Sequence, residues 1–200
     1  MSLKKTILFI LRLVALSIAS ALLTSCISNI WSGATIIYDR HNIYKQLNDC
    51  QLAFKTGHTL SKEQFPCRNC SIDVAVFNGD ILLVGHVPTN AIRLEAQKRV
   101  ETLAKHRRIF NELSLDSSGN NAVQDSWITT KIRSQIIADS DIDPRQFKVV
   151  TSNQIVYLMG DVLPEEAARV IHIASNCTGV KRVVKLLMYL NLSDKPMNRS

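Results

Sequence analysis

Ile72-Asp73-Val74-Ala75-Val76-Phe77-Asn78-Gly79-Asp80-Ile81-Leu82-Leu83-Val84-Gly85 is the stretch on which the fold turns. Two apolar, β-branched runs flank Asn78-Gly79. That pair suits a tight hairpin, because both central positions of its turn need positive φ. The pattern returns further along the chain. Phe147-Lys148-Val149-Val150-Thr151 leads into Ser152-Asn153-Gln154, and Ile155-Val156-Tyr157-Leu158-Met159-Gly160 follows. A unit that recurs in this way predicts a tandem repeat.

Outward from each hairpin the surroundings also match. After the first, a helix is expected from about Thr89 to Lys105, with Ile92, Ala96, Val100, Leu103 and Ala104 on one side, and then a strand from Ile109 to Leu115. After the second, Pro164 suits a first helical turn and Glu165-Glu166 complement the dipole there. That helix runs to about Ser175, Gly179 turns the chain, and a strand runs from Arg182 to Leu190. Before the hairpins lie two more helical stretches, about His41 to Phe54 and Ser126 to Ala138, the latter capped by Asp125 or Ser126. Pro144 lies beyond its end.

Each unit therefore reads helix, strand, strand, helix, strand. The fold class is α/β, as an α+β two-layer sandwich with two helices on one face of three strands. The expected domains are residues 40–115 and 125–191, joined by a polar linker, 116–124, and followed by a tail, 192–200.

The N-terminus carries a different signal. Lys4, Lys5 and Arg12 precede an apolar stretch from Leu13 to Leu23, and Leu23-Thr24-Ser25-Cys26 closes it. Basic, apolar and small-residue zones in that order predict a signal peptide over 1–25. The apolar stretch is shorter than the roughly 20 residues a spanning helix needs. Extending it back across Arg12 would cost about 2.5–3.5 kcal/mol. The run ending at Cys26 resembles a bacterial lipobox. That resemblance implies a diacylglycerol on the Cys26 thiol and acylation of the new amine (palmitate), with 26–39 as a lipidated tether. Ile27, rather than aspartate, implies delivery to the outer membrane. Two lipid signals already anchor firmly.

The formal net charge is +7. Loss of Lys4, Lys5 and Arg12 with the first 25 residues lowers it to +4. So small an excess does not argue for nucleic acid, but it suits an anionic membrane surface.

Trp127-Ile128-Thr129-Thr130-Lys131-Ile132-Arg133-Ser134-Gln135, Tyr157-Leu158-Met159-Gly160, Ile173-Ala174-Ser175 and Thr178-Gly179-Val180-Lys181-Arg182-Val183 resemble the BON (bacterial OsmY and nodulation) domain. Two such units behind a lipobox are similar to dual-BON outer-membrane lipoproteins. The resemblance implies a non-catalytic protein that maintains outer-membrane integrity. It also implies that the first helix of the second unit binds anionic phospholipid, with links to division sites and to the outer-membrane protein assembly machinery. Phe65-Pro66-Cys67-Arg68-Asn69-Cys70 departs from the family pattern.

That helix has an unusual outer face. At 100° per residue from Trp127, Ile128, Ile132 and Ile136 fall at about 100°, 140° and 180° and form the core stripe. Opposite lie Trp127, Thr130, Ser134, Ile137 and Ala138, flanked by Lys131 and Arg133. An indole and an aliphatic chain between cations is the composition of a helix at a lipid interface. The other reading has Trp127 and Ile137 plugged against the first unit, since apolar patches mark protein contacts as readily. The chain is then a protein-interaction adaptor instead of a phospholipid binder.

Cys50, Cys67, Cys70 and Cys177 remain after Cys26. Disulfides are permitted in an oxidising periplasm, and four cysteines leave three complete pairings open. The preferred one staples the Cys67/Cys70 loop to Cys50. Cys67-x-x-Cys70 precedes a strand rather than opening a helix, which disfavours redox chemistry. His58, His86 and His106 show no zinc-ligand spacing, so no metal or other cofactor is expected. Asp80, Asp161, Glu165 and Glu166 sit at turns or a helix start as caps. Lys105-His106-Arg107-Arg108 is a basic helix end with anionic lipid in reach. No catalytic motif is present, and no small-molecule substrate is expected.

Overall fold

A computed structural model describes residues 36–61, 65, 67, 69–115 and 121–190. Cys26, the signal segment, most of the tether and the C-terminal tail lie outside the described residues. The chain divides into two units, Met1–Asn42 and Ile43–Ser200, and the second holds both repeats from Ile43 onward.

The first repeat comprises α1 (Ile36–Thr59), β1 (Ser71–Phe77), β2 (Asp80–His86), α2 (Asn90–Glu101) and β3 (Arg108–Ser114). The second comprises α3 (Ala122–Ala138), β4 (Phe147–Ser152), β5 (Ile155–Val162), α4 (Pro164–Ser175) and β6 (Arg182–Tyr189). The expected α+β class and the tandem order hold. In each repeat the middle strand pairs antiparallel with the first and parallel with the third.

Both hairpins close as expected from sequence. Asn78 and Gly79 have φ of 48° and 81°, and Asn153 and Gln154 have 53° and 65°. Pro144, clear of α3, opens a 3-10 turn, Pro144–Gln146.

Three expectations about helix ends need correction. α2 ends at Glu101, with Thr102 as its C-cap, rather than near Lys105, so Leu103, Ala104 and the basic cluster that follows lie beyond the helix. α1 continues to Thr59 rather than stopping near Phe54, because Leu52, Thr56 and Leu60 keep it docked on the core. α3 starts at Ala122, and neither Asp125 nor Ser126 caps it. Asn121 does, its side-chain oxygen accepting from Gln124 N at 3.1 Å. Asp125 lies inside the helix and is buried.

What Asp125 does explains the repeat. Its two oxygens accept the N–H groups of Asn153 and Gln154, both at 2.8 Å. In the first repeat Asp49 accepts those of Asn78 and Gly79 at 2.7 and 2.8 Å. A turn whose N–H groups point away from the sheet offers donors with no strand partner. One carboxylate on the preceding helix satisfies both and locks helix to hairpin.

Each repeat holds its own helix–sheet core. Ile81, Leu83, Val87, Ala96 and Val100 lie in the first. Ile128, Ile132, Ile136, Val156, Leu158 and Val170 lie in the second. A third cluster joins the repeats. Ala75, Leu82 and Val84 from one sheet meet Tyr157, Met159 and Leu186 from the other. The sheets thus pack face to face with helices outermost, in four layers. The alternation along β2 makes this possible: Ile81 and Leu83 face the helices, while Leu82 and Val84 face the second sheet.

Polar ties edge the contact. Arg107 forks between Asp80 at 2.6 Å and Asp161 of the second repeat at 2.8 Å. Arg108 also pairs with Asp80. Lys148 donates to the Val76 carbonyl at 3.0 Å, and burial pushes its pKa down, offset in part by Asp49. Asp80 and Asp161 are therefore ion-pair partners, not caps. Arg107 and Arg108 of the basic cluster are engaged by them rather than presented to lipid.

Candidate membrane-facing helix

α3 presents two unlike sides. Ile128, Ile132 and Ile136 are sealed in the core, as the helical spacing predicts. On the far side Trp127 is 51% exposed and Ile137 70%. Val123, 81% exposed, extends the same stripe one turn earlier. Sequence reasoning missed it because the helix was expected to begin at Ser126. The step of four from Val123 to Trp127 was the available signal. Trp127 is no plug against the first repeat, because Tyr157, Met159 and Leu186 fill that role from the sheet.

Between the apolar side chains, Thr130 and Ser134 are exposed, yet their hydroxyls are turned inward. Thr130 Oγ1 donates to the Ser126 carbonyl at 2.8 Å, and Ser134 Oγ to the Thr130 carbonyl at 2.9 Å. A hydroxyl bonded to its own helix demands less water, so the stripe is cheaper to desolvate than its composition suggests. Ala138 is exposed at its end.

The two cations differ. Lys131 Nζ lies 4.8 Å from the Trp127 ring centroid, a cation–π contact that holds the indole and ammonium together. Arg133 is exposed and, among the described residues, forms no salt bridge. The helix thus carries an apolar ridge, a lysine folded onto its indole and a guanidinium open to an anionic group.

The cysteine expectation is corrected. Cys67 pairs with Cys70, their Cα atoms 5.6 Å apart, within the ordinary range for a disulfide. Cys50 is free and exposed on the outer side of α1, and Cys177 is free and buried. The staple to Cys50 does not form because Cys67 and Cys70 bond to each other and leave Cys50 without a partner thiol. Among the described residues, no three metal-ligating side chains converge, and no helix is long and apolar enough to cross a membrane.

Two back-to-back α+β repeats with an uncovered amphiphilic helix define a tandem-repeat α+β protein. The chain belongs to the BON domain family, whose pattern matches residues 48–117 and 124–191. It is 27% identical over 179 residues to the outer membrane lipoprotein DolP of Haemophilus influenzae, covering 86% of this chain and 93% of that one. It is also 31% identical over 147 residues to a 21 kDa hemolysin of Actinobacillus pleuropneumoniae, covering 72% and 76%.

Proposed function

We propose that this chain is a non-catalytic, lipid-anchored protein of the outer membrane, held through Cys26, that binds anionic phospholipid through α3 and helps maintain envelope integrity. The similarity to an outer membrane lipoprotein along most of both chains supports the location. One observation carries the binding reading: Val123, Trp127 and Ile137 stand uncovered on one side of a helix whose other side is fully buried. Their burial in the acyl boundary gains roughly 25 cal/mol per Å². Indole sits well at headgroup level, and Arg133 and Lys131 each add about 1 kcal/mol at an anionic surface.

Vesicle flotation with the chain from residue 27 onward, and Trp31→Phe to leave Trp127 as sole indole, tests this. Phosphatidylglycerol vesicles should retain the protein and blue-shift its fluorescence; phosphatidylcholine should not. Trp127→Glu should abolish binding, and Arg133→Ala should weaken it about five-fold. Unchanged binding by Trp127→Glu rejects the surface. A photocrosslinker at Trp127 that captures one discrete protein in cells, and no lipid, favours the adaptor reading and an assembly-machinery or division-site partner.

A further inference from the structure

Asp49 and Asp125 hold their hairpin turns in the same way, which sets the two repeats in one register. Asn48 and Gly79 of the first repeat then match Gln124 and Gln154 of the second. In the second, Gln154 Nε2 donates to Gln124 Oε1 at 3.2 Å and ties the turn to the helix. Glycine has no side chain to make that bridge, and asparagine is shorter. The first repeat has a cavity there instead, about 410 Å³ in volume and lined by Asn48 and Gly79. That is within the range of small-ligand sites.

The walls of this cavity are cationic. Lys45 and Lys55 of α1 line it together with Lys105 and Arg107 of the segment before β3. Two carboxylates, Asp49 and Asp161, stand against these four, and both are engaged. Asp49 accepts the two turn N–H groups, while Asp161 pairs with Arg107 and accepts from Asn78 Nδ2 at 3.1 Å. Among the described residues, none of the three lysines forms a salt bridge.

The backbone at Lys105 is a second, independent sign. Arg107 N donates to Gly79 O at 2.7 Å, and Lys181 N to Gln154 O at 2.8 Å. These bonds match Arg107 with Lys181, and therefore Lys105 with Gly179. Both residues are left-handed, with φ of 73° and 92°. Glycine adopts that conformation freely, whereas a side chain strains it. A Cβ on Gly179 would lie 3.3 Å from Ile128 and 3.4 Å from Gln124. Their counterparts Leu52 and Asn48 line the cavity. The first repeat thus keeps a strained lysine beside the cavity where the second repeat uses a relaxed glycine. Strain of this kind gathers where a side chain is needed for binding.

We propose that this cavity binds the phosphate group of an anionic ligand, with Lys45, Lys55 and Lys105 as its cationic contacts. Three ammonium groups on flexible stems suit a tetrahedral, multiply charged anion met from several sides. A planar carboxylate is better matched by a guanidinium fork, and Arg107 already commits its fork to Asp80 and Asp161. Ala104 and the lysine stems offer apolar contact to the group that carries the phosphate. No residue of α3 takes part, so the proposal stands independently of phospholipid binding by that helix.

The test uses the full chain in neutral detergent, with pyrophosphate as probe and isothermal titration calorimetry as readout. Pyrophosphate should bind, and Lys45→Gln and Lys105→Gly should each weaken it about ten-fold. Lys105→Gly should hold or raise the thermal midpoint, so that its lost binding is not lost folding. Lys98→Gln removes the same charge outside the cavity and should leave binding unchanged, as should Trp127→Glu. In the Trp127→Glu background, displacement of pyrophosphate by phosphatidylglycerol in the micelles supports the site and identifies a lipid headgroup as its ligand. Displacement by glycerol phosphate alone supports the site and identifies a soluble ligand. No detectable binding of millimolar pyrophosphate by the wild type overturns the proposal. So does equal weakening by Lys98→Gln, or a Lys105→Gly chain that binds like wild type.

Discussion

Asp49 and Asp125 carry the most structural meaning per residue. Each is a helix residue whose carboxylate supplies the hydrogen bonds a hairpin turn lacks. Asp125→Ala leaves two N–H groups without their acceptor at a cost of about 2–4 kcal/mol. Asn does not rescue fully, since its amide nitrogen faces a donor; urea denaturation should show about 1–2 kcal/mol lost. Asp141→Ala, at an exposed ion pair with Arg169, should fall within about 0.5 kcal/mol of wild type. The hairpin turns themselves were plain in the sequence, yet this link was not. An aspartate close before a helical stretch also reads as a cap, and only the equivalent Asp49 at nearly the same distance from its turn marks it otherwise. Asp80 makes a pH-dependent counterpart. Burial pushes its pKa up, but hydrogen bonds and charge from Arg108 and Arg107 outweigh this, and the net shift is downward. A carboxylate with a depressed folded pKa stabilises fully above its unfolded value, about 3.9, and loses that contribution as pH falls through the folded one. Asp80→Asn should therefore cost about 2–3 kcal/mol at neutral pH. The gap to wild type should narrow steadily in urea titrations below about pH 4. A gap that is constant down to pH 2 would mean the charge of Asp80 is irrelevant.

At the level of elements, α1 and α3 occupy equivalent places and have diverged on their outer sides. Both dock by a narrow stripe, Leu52 and Thr56 in one and Ile128, Ile132 and Ile136 in the other. The stripe of α3 was legible because isoleucine recurs every four residues. The end of α1 was not, because Gly57 reads as a stop, while Leu60 beyond it is what holds the last turn down. Stability and membrane binding should separate cleanly along α3. Ile132→Ala opens a cavity and should cost about 2–5 kcal/mol in urea denaturation. Val123→Ala and Ile137→Ala should move stability by no more than about 0.5 kcal/mol. In flotation the order should invert: the two exposed substitutions weaken vesicle retention, and folded Ile132→Ala protein binds like wild type. Equal losses of binding for all three would show that retention follows helix integrity rather than the outer face. The equivalent glycines of the middle strands are another device of the repeat. A Cβ on Gly85, at φ +116°, would lie 2.0 Å from the Ser71 carbonyl oxygen, and one on Gly160 would lie 2.6 Å from that of Gln146. Both glycines let the adjoining chain cross close to the sheet.

For the whole molecule, the decisive fact is that, among the described residues, each sheet packs on helices with one face and on the sister sheet with the other. The unit read from sequence, two helices on one side of three strands, leaves the other side open. The sequence held a sign that this side is covered too, since Ile81-Leu82-Leu83-Val84 and Ile155-Val156-Tyr157-Leu158-Met159 are apolar at successive positions. A strand with one wet face alternates instead. What no strand pattern can say is which surface covers the second face, because a partner protein and the sister repeat demand the same residues. The back-to-back arrangement makes the repeats interdependent. Met159 is fully buried among side chains of both sheets. Met159→Ala should destabilise by about 2–5 kcal/mol, and the loss should not stay within the second repeat. Hydrogen exchange should show protection falling together in β2 and β5, because Leu82 and Val84 lose their packing partner at the same moment. Protection lost in β5 alone would mean that the repeats fold as separate bodies that merely touch. A shared core also keeps α1 and α3 in a fixed relation as the outermost layers. The uncovered side of α3 is then carried on a rigid frame rather than on a mobile helix.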